Sequence, residues 1–124
     1  MTEPLAIIFY ENLLPGSQLV NRLQDLGYRV QGVPEVAAIL PLAEKEKPLV
    51  ILTDLNTHKG DICSVIASLK RNTATSHIPV LAFAGKNQKK LHSTAMKAGA
   101  SLVAQEEAIL TQLPQLLDQV LQLE

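Results

Sequence analysis

The chain has 124 residues, of which 47% are hydrophobic, and its 11 basic and 12 acidic residues give a formal net charge of −1. That length suits a single domain over residues 1–124, and the balanced charge lacks the basic footprint of a protein that binds nucleic acid through its phosphates. The apolar stretches are shorter than the roughly 20 residues that a membrane-spanning helix needs. With one cysteine, Cys63, and no signal-like N-terminus, we expect a cytoplasmic domain that binds neither nucleic acid nor membrane.

Short apolar runs alternate with helical patterns along the chain, which is typical of βαβ units around a parallel sheet. The first, third and fourth runs are almost entirely apolar, as expected of strands covered on both faces, whereas the more polar second run predicts an edge strand. The five predicted strands are residues 5–10, 29–33, 49–53, 80–84 and 101–104.

The helical segments carry recognisable start and stop signals. Apolar residues recur at helical spacing over residues 13–26 and stop at Gly27, a residue suited to the position just past a helix end. Pro41 falls inside the second helical pattern, so we expect a kink or a late start there. Pro114 falls inside the last pattern, and we expect it in the first turn of a helix that Thr111 caps. Five βα units with right-handed crossovers then give a three-layer α/β sandwich.

Asp54 is the first candidate for a functional residue, because it follows the apolar run of residues 49–53 and precedes a polar loop. In open α/β sheets the carboxyl ends of the strands face the crevice where ligands bind, so an acid at this position is placed for chemistry. The alternative is a structural acid that caps the next segment or accepts hydrogen bonds from backbone amides.

Three phrases in this order resemble the receiver domain of bacterial response regulators, the CheY-like family. They are LVILTDL at residues 49–55, HIPVL at residues 77–81 and AGA at residues 98–100, with Gly60 in the loop after Asp54 as a further match. The resemblance covers essentially the whole chain. It implies a flavodoxin-like fold: a three-layer sandwich around a five-stranded parallel sheet of order 2-1-3-4-5.

The resemblance also implies a set of chemical parts, and several of them have changed here. Family receivers carry an acidic pair that holds Mg²⁺, a phosphoacceptor aspartate, a hydroxyl residue, an aromatic switch residue and a lysine. Mg²⁺ and the lysine neutralise the anions that phosphoryl transfer to a carboxylate brings together. In that order, the matching positions are Tyr10 and Glu11, Asp54, Ala84, Val103 and Glu106.

These changes predict impaired or absent phosphoryl acceptance. Glu106 replaces attraction for phosphate with repulsion, Ala84 has no hydroxyl, and Tyr10 removes one metal-binding acid. Glu11 and Asp54 remain as possible ligands of a weak Mg²⁺ or Ca²⁺ site, with no cofactor required.

This pattern resembles the pseudo-receivers, which keep the fold and signal through protein contacts. We therefore expect a non-enzymatic interaction module of a bacterial two-component pathway that acts on a signalling partner. The alternative is a functional phosphorelay receiver, phosphorylated on Asp54 by a histidine kinase.

The family resemblance further implies a contact surface for a target or a second copy, built from helix 4, strand 5 and helix 5. The last helix also carries more apolar residues than one core-facing stripe requires, which suggests a partner-facing side. The alternative for the polar members of this surface is ordinary solvent exposure. The candidate contacts are Lys90, Thr94, Lys97, Gln112, Gln115 and Gln119.

Overall fold

The alternating pattern folds into five strands and six α-helices in a computed structural model that describes residues 4–10, 13–55, 61–85 and 88–122. The strands are β1 (Leu5–Phe9), β2 (Arg29–Val33), β3 (Val50–Asp54), β4 (Val80–Ala84) and β5 (Leu102–Gln105). The helices are α1 (Leu13–Asp25), α2 (Ile39–Glu46), α3 (Ile62–Arg71), α4 (Lys89–Ala98), α5 (Glu106–Thr111) and α6 (Leu113–Gln122), with a 3₁₀ turn at Val36–Ala38 before α2.

The strands form one parallel sheet in the order β2-β1-β3-β4-β5. Every residue of β1, β3 and β4 is buried, as expected of apolar strands covered on both faces, and β2 is the predicted edge strand. This confirms the predicted fold class and strand order.

Two apolar clusters lie on opposite faces of the sheet and make it the middle of three layers. The cluster on one face includes Ile39 of α2, Ile66 of α3 and Ala95 of α4. The other includes Leu19 of α1 and Leu117 of α6. Side chains of successive strand residues point to opposite faces, so each buried strand contributes to both clusters. Within the described ranges, no helix is long and apolar enough to cross a bilayer.

The predicted boundaries hold within one residue. β2 and β4 have the predicted bounds, β1 ends one residue earlier at Phe9, and β3 and β5 begin and end one residue later. The first helix stops before Gly27, whose φ of 93° is the left-handed conformation that glycine adopts readily. Pro41 is the third residue of α2, which starts late, after the 3₁₀ turn, as expected.

The last helical segment differs from the prediction in one respect, because a separate short helix, α5, precedes α6. Pro114 does lie in the first turn of α6, but Thr111 is the last residue of α5 and donates its hydroxyl hydrogen to the Glu107 carbonyl at 3.0 Å. Thr111 is therefore not the cap of α6. Pro114 has no N–H for the Leu110 carbonyl one turn earlier. The Arg22 Nη2 atom of α1 donates to that carbonyl at 3.2 Å instead.

The break also accounts for the surplus of apolar residues that suggested a partner-facing side. Leu113, Leu116, Leu117 and Val120 are buried against the sheet, and Leu110 and Leu121 are half-buried against the same cluster. Two short helices, set at the break, place all of these side chains on the core. These contacts explain most of the apolar surplus without a partner, and the partner-facing side stays a prediction.

Candidate functional site

The carboxyl ends of β1, β3, β4 and β5 meet at one edge of the sheet because all the strands are parallel. Phe9 is level with Thr53, Asp54 with Phe83, and Ala84 with Gln105. Continuing this register by one residue sets Tyr10 level with Asp54 and Glu106 just beyond Ala84. The structure thus brings together four predicted site positions, Tyr10, Asp54, Ala84 and Glu106, at the edge where α/β folds bind ligands.

Asp54 is the last residue of β3, and its exposed fraction is 0%. It follows Leu52 by two residues, so its side chain points to the sheet face that α1, α5 and α6 cover. Phe83, the fully buried partner position on β4, points to that same face. The backbone continues to pair beyond the strand end, since the Leu55 N–H donates to the Phe83 carbonyl at 2.9 Å. Asp54 is therefore enclosed at the strand end.

Tyr10 follows β1 and turns its ring towards α1. The ring lies against Gly16, in the first turn of α1, so that a Cβ added at Gly16 would overlap the ring carbons. Tyr10 is half-buried and packs on the cluster that α1, α5 and α6 form with the sheet. An aromatic ring thus occupies the α1 side of the site, where the family would have an acid. Glu11, the other predicted member of the acidic pair, lies outside the described residues.

Ala84 ends β4 and is fully buried, with only a methyl group beside the end of β3. Val103 of β5 is half-buried and packs on the cluster that contains α2, α3 and α4. Neither side chain can donate or accept a hydrogen bond. The two positions that the family resemblance assigns to the hydroxyl and the aromatic switch therefore contribute only packing.

Glu106 is the first residue of α5, is half-buried, and is followed by a second acid, Glu107. Carboxylates in the first turn of a helix interact favourably with the positive end of the helix dipole. Glu106 therefore has a structural reason to be acidic. It also places a negative charge at the strand end next to β4, where the family would place a cation.

The described residues do not provide the donor set of a magnesium site. Mg²⁺ prefers several oxygen ligands in near-octahedral geometry, but Tyr10 replaces one acid of the family's metal-binding pair with a group that carries no carboxylate. No three His, Cys, Asp or Glu side chains within the described ranges are grouped so that they could hold a metal ion. The weak site of Glu11 and Asp54 stays a prediction, because Glu11 lies outside the described residues.

Asp61, which was not among the predicted site residues, caps α3. Its Oδ1 accepts from the Ser64 N–H at 3.2 Å and its Oδ2 accepts from the Ser64 hydroxyl at 2.8 Å. These bonds hold the pKa of the Asp61 carboxyl below its ordinary value. The local signal is an aspartate three residues before a serine at a helix start.

Burial, and then the Asp61 charge, raise the pKa of the Cys63 thiol, so Cys63 is not an activated nucleophile.

Three of the six candidate contact residues lie on α4, and the other three lie at the break before α6 or on α6. Lys90, Thr94 and Lys97 share the outer face of α4, and Thr94 donates its hydroxyl hydrogen to the Lys90 carbonyl at 2.8 Å. Helices α4 and α5 flank the edge strand β5 from opposite faces of the sheet. Gln112, Gln115 and Gln119 are also exposed, but they lie at the break before α6 and on α6 itself. Exposure is consistent with a contact surface and equally with ordinary solvation.

Comparison with known proteins identifies the fold of the chain but no family model that matches its sequence. No protein-family model matches the chain, and no curated protein matches it. Solved structures do match over nearly its full length.

One is the receiver domain of a sensor histidine kinase from Pseudomonas aeruginosa, with a magnesium ion coordinated in its active-site cleft: TM-score 0.86, 17% identity, covering 98% of this chain and 99% of that one. Another is a response regulator from Desulfuromonas acetoxidans: TM-score 0.78, 23% identity, covering 96% and 97%. A third is a response regulator from Burkholderia pseudomallei with a phosphorylated aspartic acid, a calcium ion and citrate: TM-score 0.78, 22% identity, covering 95% and 66%.

These likenesses confirm, at the level of the fold, the resemblance that the sequence phrases suggested. The identities are all below 25%, so the comparison establishes architecture and leaves the chemistry of the strand-end site to its own residues. The chain has the receiver fold of bacterial response regulators.

Proposed function

We propose that residues 1–124 form a single receiver-like module of a bacterial two-component pathway that signals in the cytoplasm through protein contacts, without phosphoryl transfer to Asp54. In this proposal the chain is a binding partner and not an enzyme. The observation that carries it is the 0% exposure of Asp54. Phosphoryl transfer needs the attacking carboxylate oxygen in line with the phosphorus atom of the donor. An enclosed carboxylate does not offer that approach.

The chemistry around Asp54 supports the same conclusion. Transfer would place further negative charge on a group that lies at the same sheet edge as Glu106, and opposite charges nearby are what make such a product favourable. Ala84 cannot donate a hydrogen bond to a phosphoryl oxygen, and the Tyr10 ring occupies the α1 side of the site. We accordingly propose that no cofactor is required and that Mg²⁺ or Ca²⁺ binds weakly at most.

A second candidate function is a working phosphorelay receiver, phosphorylated on Asp54 by a histidine kinase. It is favoured by the position of Asp54 at the carboxyl end of the central strand β3 and by the phosphorylated aspartic acid in the Burkholderia pseudomallei response regulator. In this alternative Asp54 is the nucleophile and Glu11 is a metal ligand. Because position 106 carries a glutamate instead of the family's lysine, an unconventional cation stabilises the product.

Intact mass spectrometry after incubation with acetyl phosphate and Mg²⁺ separates the two functions. The proposal predicts no phosphate adduct under conditions that modify a control response regulator. An adduct on the wild-type chain that disappears in the Asp54→Asn variant would overturn it. Nuclear magnetic resonance titration with Mg²⁺ adds a second readout: the working receiver requires metal-dependent shifts around Asp54, and the proposed module does not.

We propose the α4, β5 and α5–α6 end of the molecule as the contact surface, for a signalling partner or for a second copy. Lys90 and Lys97 supply positive charge on the outer face of α4, which suits an acidic patch on a partner. Sedimentation over a range of concentrations tests the second copy. The expected result for a homodimer is a concentration-dependent mass that the double variant Lys90→Glu, Lys97→Glu reduces to that of a monomer.

A further inference from the structure

The edge strand β2, on the side of the sheet away from β5, has features that the proposed function does not use. β2 pairs with β1, and no other described strand pairs with it. An edge strand presents backbone N–H and C=O groups to which another extended chain can bind. The strand is only partly covered, since Arg29 and Gly32 are exposed and Val30 and Gln31 are half-buried.

Gly32 has no internal reason to be glycine. Its φ lies outside the left-handed region, so other residues can adopt its backbone conformation, and a Cβ built on it meets no heavy atom within 4 Å. Glycine within a strand weakens it and marks a site where a ligand or another backbone approaches closely. Nothing in the described part of the chain approaches Gly32 in this way. The space on the sheet face to which a Cβ of Gly32 would point is therefore open to side chains of an added strand.

An open cleft of about 390 Å³ lies directly beside this strand. Its lining is mostly apolar and comes from the end of β2 and one side of α2, with Val33, Pro34, Ala38, Pro41 and Leu42 as its apolar members. The two prolines fix the backbone dihedral φ at their positions, so these two positions lose little backbone freedom when a segment binds.

The charge of the cleft indicates what kind of segment fits it. Lys45 is the one charged residue in the described lining, and it is exposed. A second copy at this edge would bring the Lys45 side chains of both molecules to the same interface, and like-charge repulsion disfavours that contact. An acidic side chain is favoured opposite Lys45, next to an apolar side chain that enters the cleft.

We propose that the β2 edge and this cleft bind an extended segment of a partner protein in which large apolar and acidic side chains alternate. The segment adds a strand to the sheet: its backbone pairs with the outer edge of β2 across Gly32, and its apolar side chains enter the cleft. This surface lies on the opposite edge of the sheet from β5. The inference does not depend on whether Asp54 accepts a phosphoryl group.

A pair of capped, fluorescein-labelled peptides tests the proposal, Val-Glu-Val-Glu-Val-Glu-Val and the same peptide with lysine in place of each glutamate. Fluorescence anisotropy should detect binding of the acidic peptide and at least about tenfold weaker binding of the basic one. Gly32→Val should weaken binding of the acidic peptide at least about tenfold, because the branched side chain fills the open space beside Gly32 that side chains of the added strand would enter. Valine is favoured in strands, so this variant should keep its fold.

Two further variants keep the test specific. Lys45→Glu should invert the preference between the two peptides, and Gln105→Val, a matched change on the opposite edge strand, should leave both affinities unchanged. Hydrogen exchange should slow at backbone amides of residues 29–33 when the acidic peptide is bound.

The proposal is overturned if neither peptide binds, if Gly32→Val and Lys45→Glu leave binding unchanged, or if the protected amides lie elsewhere. Self-association that Gly32→Val abolishes would also overturn it, in favour of a second copy at this edge.

Discussion

The ring of Tyr10 and the backbone of Gly16 occupy adjoining space, and a Cβ at position 16 would overlap the ring. The two residues are therefore matched: the absence of a side chain in the first turn of α1 allows an aromatic ring at the end of β1. This match excludes from the α1 side of the site the acid that a metal-binding receiver would carry there.

The Tyr10–Gly16 pair predicts that one substitution changes sign with its background. Gly16→Ala should lower the free energy of unfolding by about 1–3 kcal/mol, because the added methyl group overpacks the ring. In a Tyr10→Ala background the same change should raise it by up to about 1 kcal/mol, because alanine is the better helix former. Urea denaturation of the four proteins measures both values. Equal effects in the two backgrounds would contradict the contact.

Restoring the family residues should create phosphoryl acceptance if their loss is what prevents it. The triple variant Tyr10→Asp, Ala84→Thr, Glu106→Lys should raise the rate of adduct formation with acetyl phosphate about tenfold or more. A tenfold rate increase corresponds to a decrease of about 1.4 kcal/mol in the activation free energy. The same triple variant with Asp54→Asn serves as the control and should show no adduct. A triple variant that folds and stays unmodified would point to the enclosure of Asp54 as the dominant obstacle.

The Asp61 cap predicts a contribution to stability that depends on pH. Its hydrogen bonds to Ser64 favour the ionised carboxylate and lower its pKa from the ordinary 3.8. A lowered folded-state pKa contributes stability that is fully present above pH 3.8 and is lost as the pH falls through the folded-state value. Asp61→Asn, which can still accept a hydrogen bond, should remove this acid-dependent part while α3 still forms. Urea midpoints at pH 6 and pH 3 test it, and an equal fall in midpoint for the two proteins would count against the cap.

Thr75 predicts a stability loss that depends on a single hydroxyl group. Its side chain is fully buried and donates to the Leu69 carbonyl of α3 at 2.7 Å. Thr75→Val keeps the shape but leaves that carbonyl without its donor, which should lower the free energy of unfolding by about 1–3 kcal/mol. Thr75→Ser keeps the hydroxyl and should lose less. If the serine variant is the less stable of the two, methyl packing and not the hydrogen bond is what matters.

Most of the sheet could be predicted from sequence because its signals are local. Uninterrupted apolar runs identify β1, β3 and β4, and the mixed residues of β2 identify an edge. The helix start near Pro114 also has a local signal, but the separate helix α5 before it could not be predicted in this way. The Arg22 bond to the Leu110 carbonyl joins residues that are far apart in sequence.

The candidate site was predictable in position and less so in geometry. The acid at the end of β3 and the missing hydroxyl at Ala84 can be read from the sequence, since each depends only on residue type and place in the pattern. The enclosure of Asp54 and the direction of the Tyr10 ring depend on packing between distant segments. The Asp61 cap has a local sequence signal. The same aspartate also belongs to the polar stretch that follows β3, which is typical of a strand-end site as well as of a helix start.

The strand order has a consequence for how the chain folds. β1 lies between β2 and β3, and its pairing with β3 joins Ala6 to Val50 across α1, β2 and α2. Until β3 arrives, one side of β1 is open, and closing so long a loop slows folding relative to a protein built from local contacts. The strand that ends at Asp54 is thus also the one that completes the centre of the sheet. Substitutions along β3 should therefore change the folding rate more than substitutions in α6.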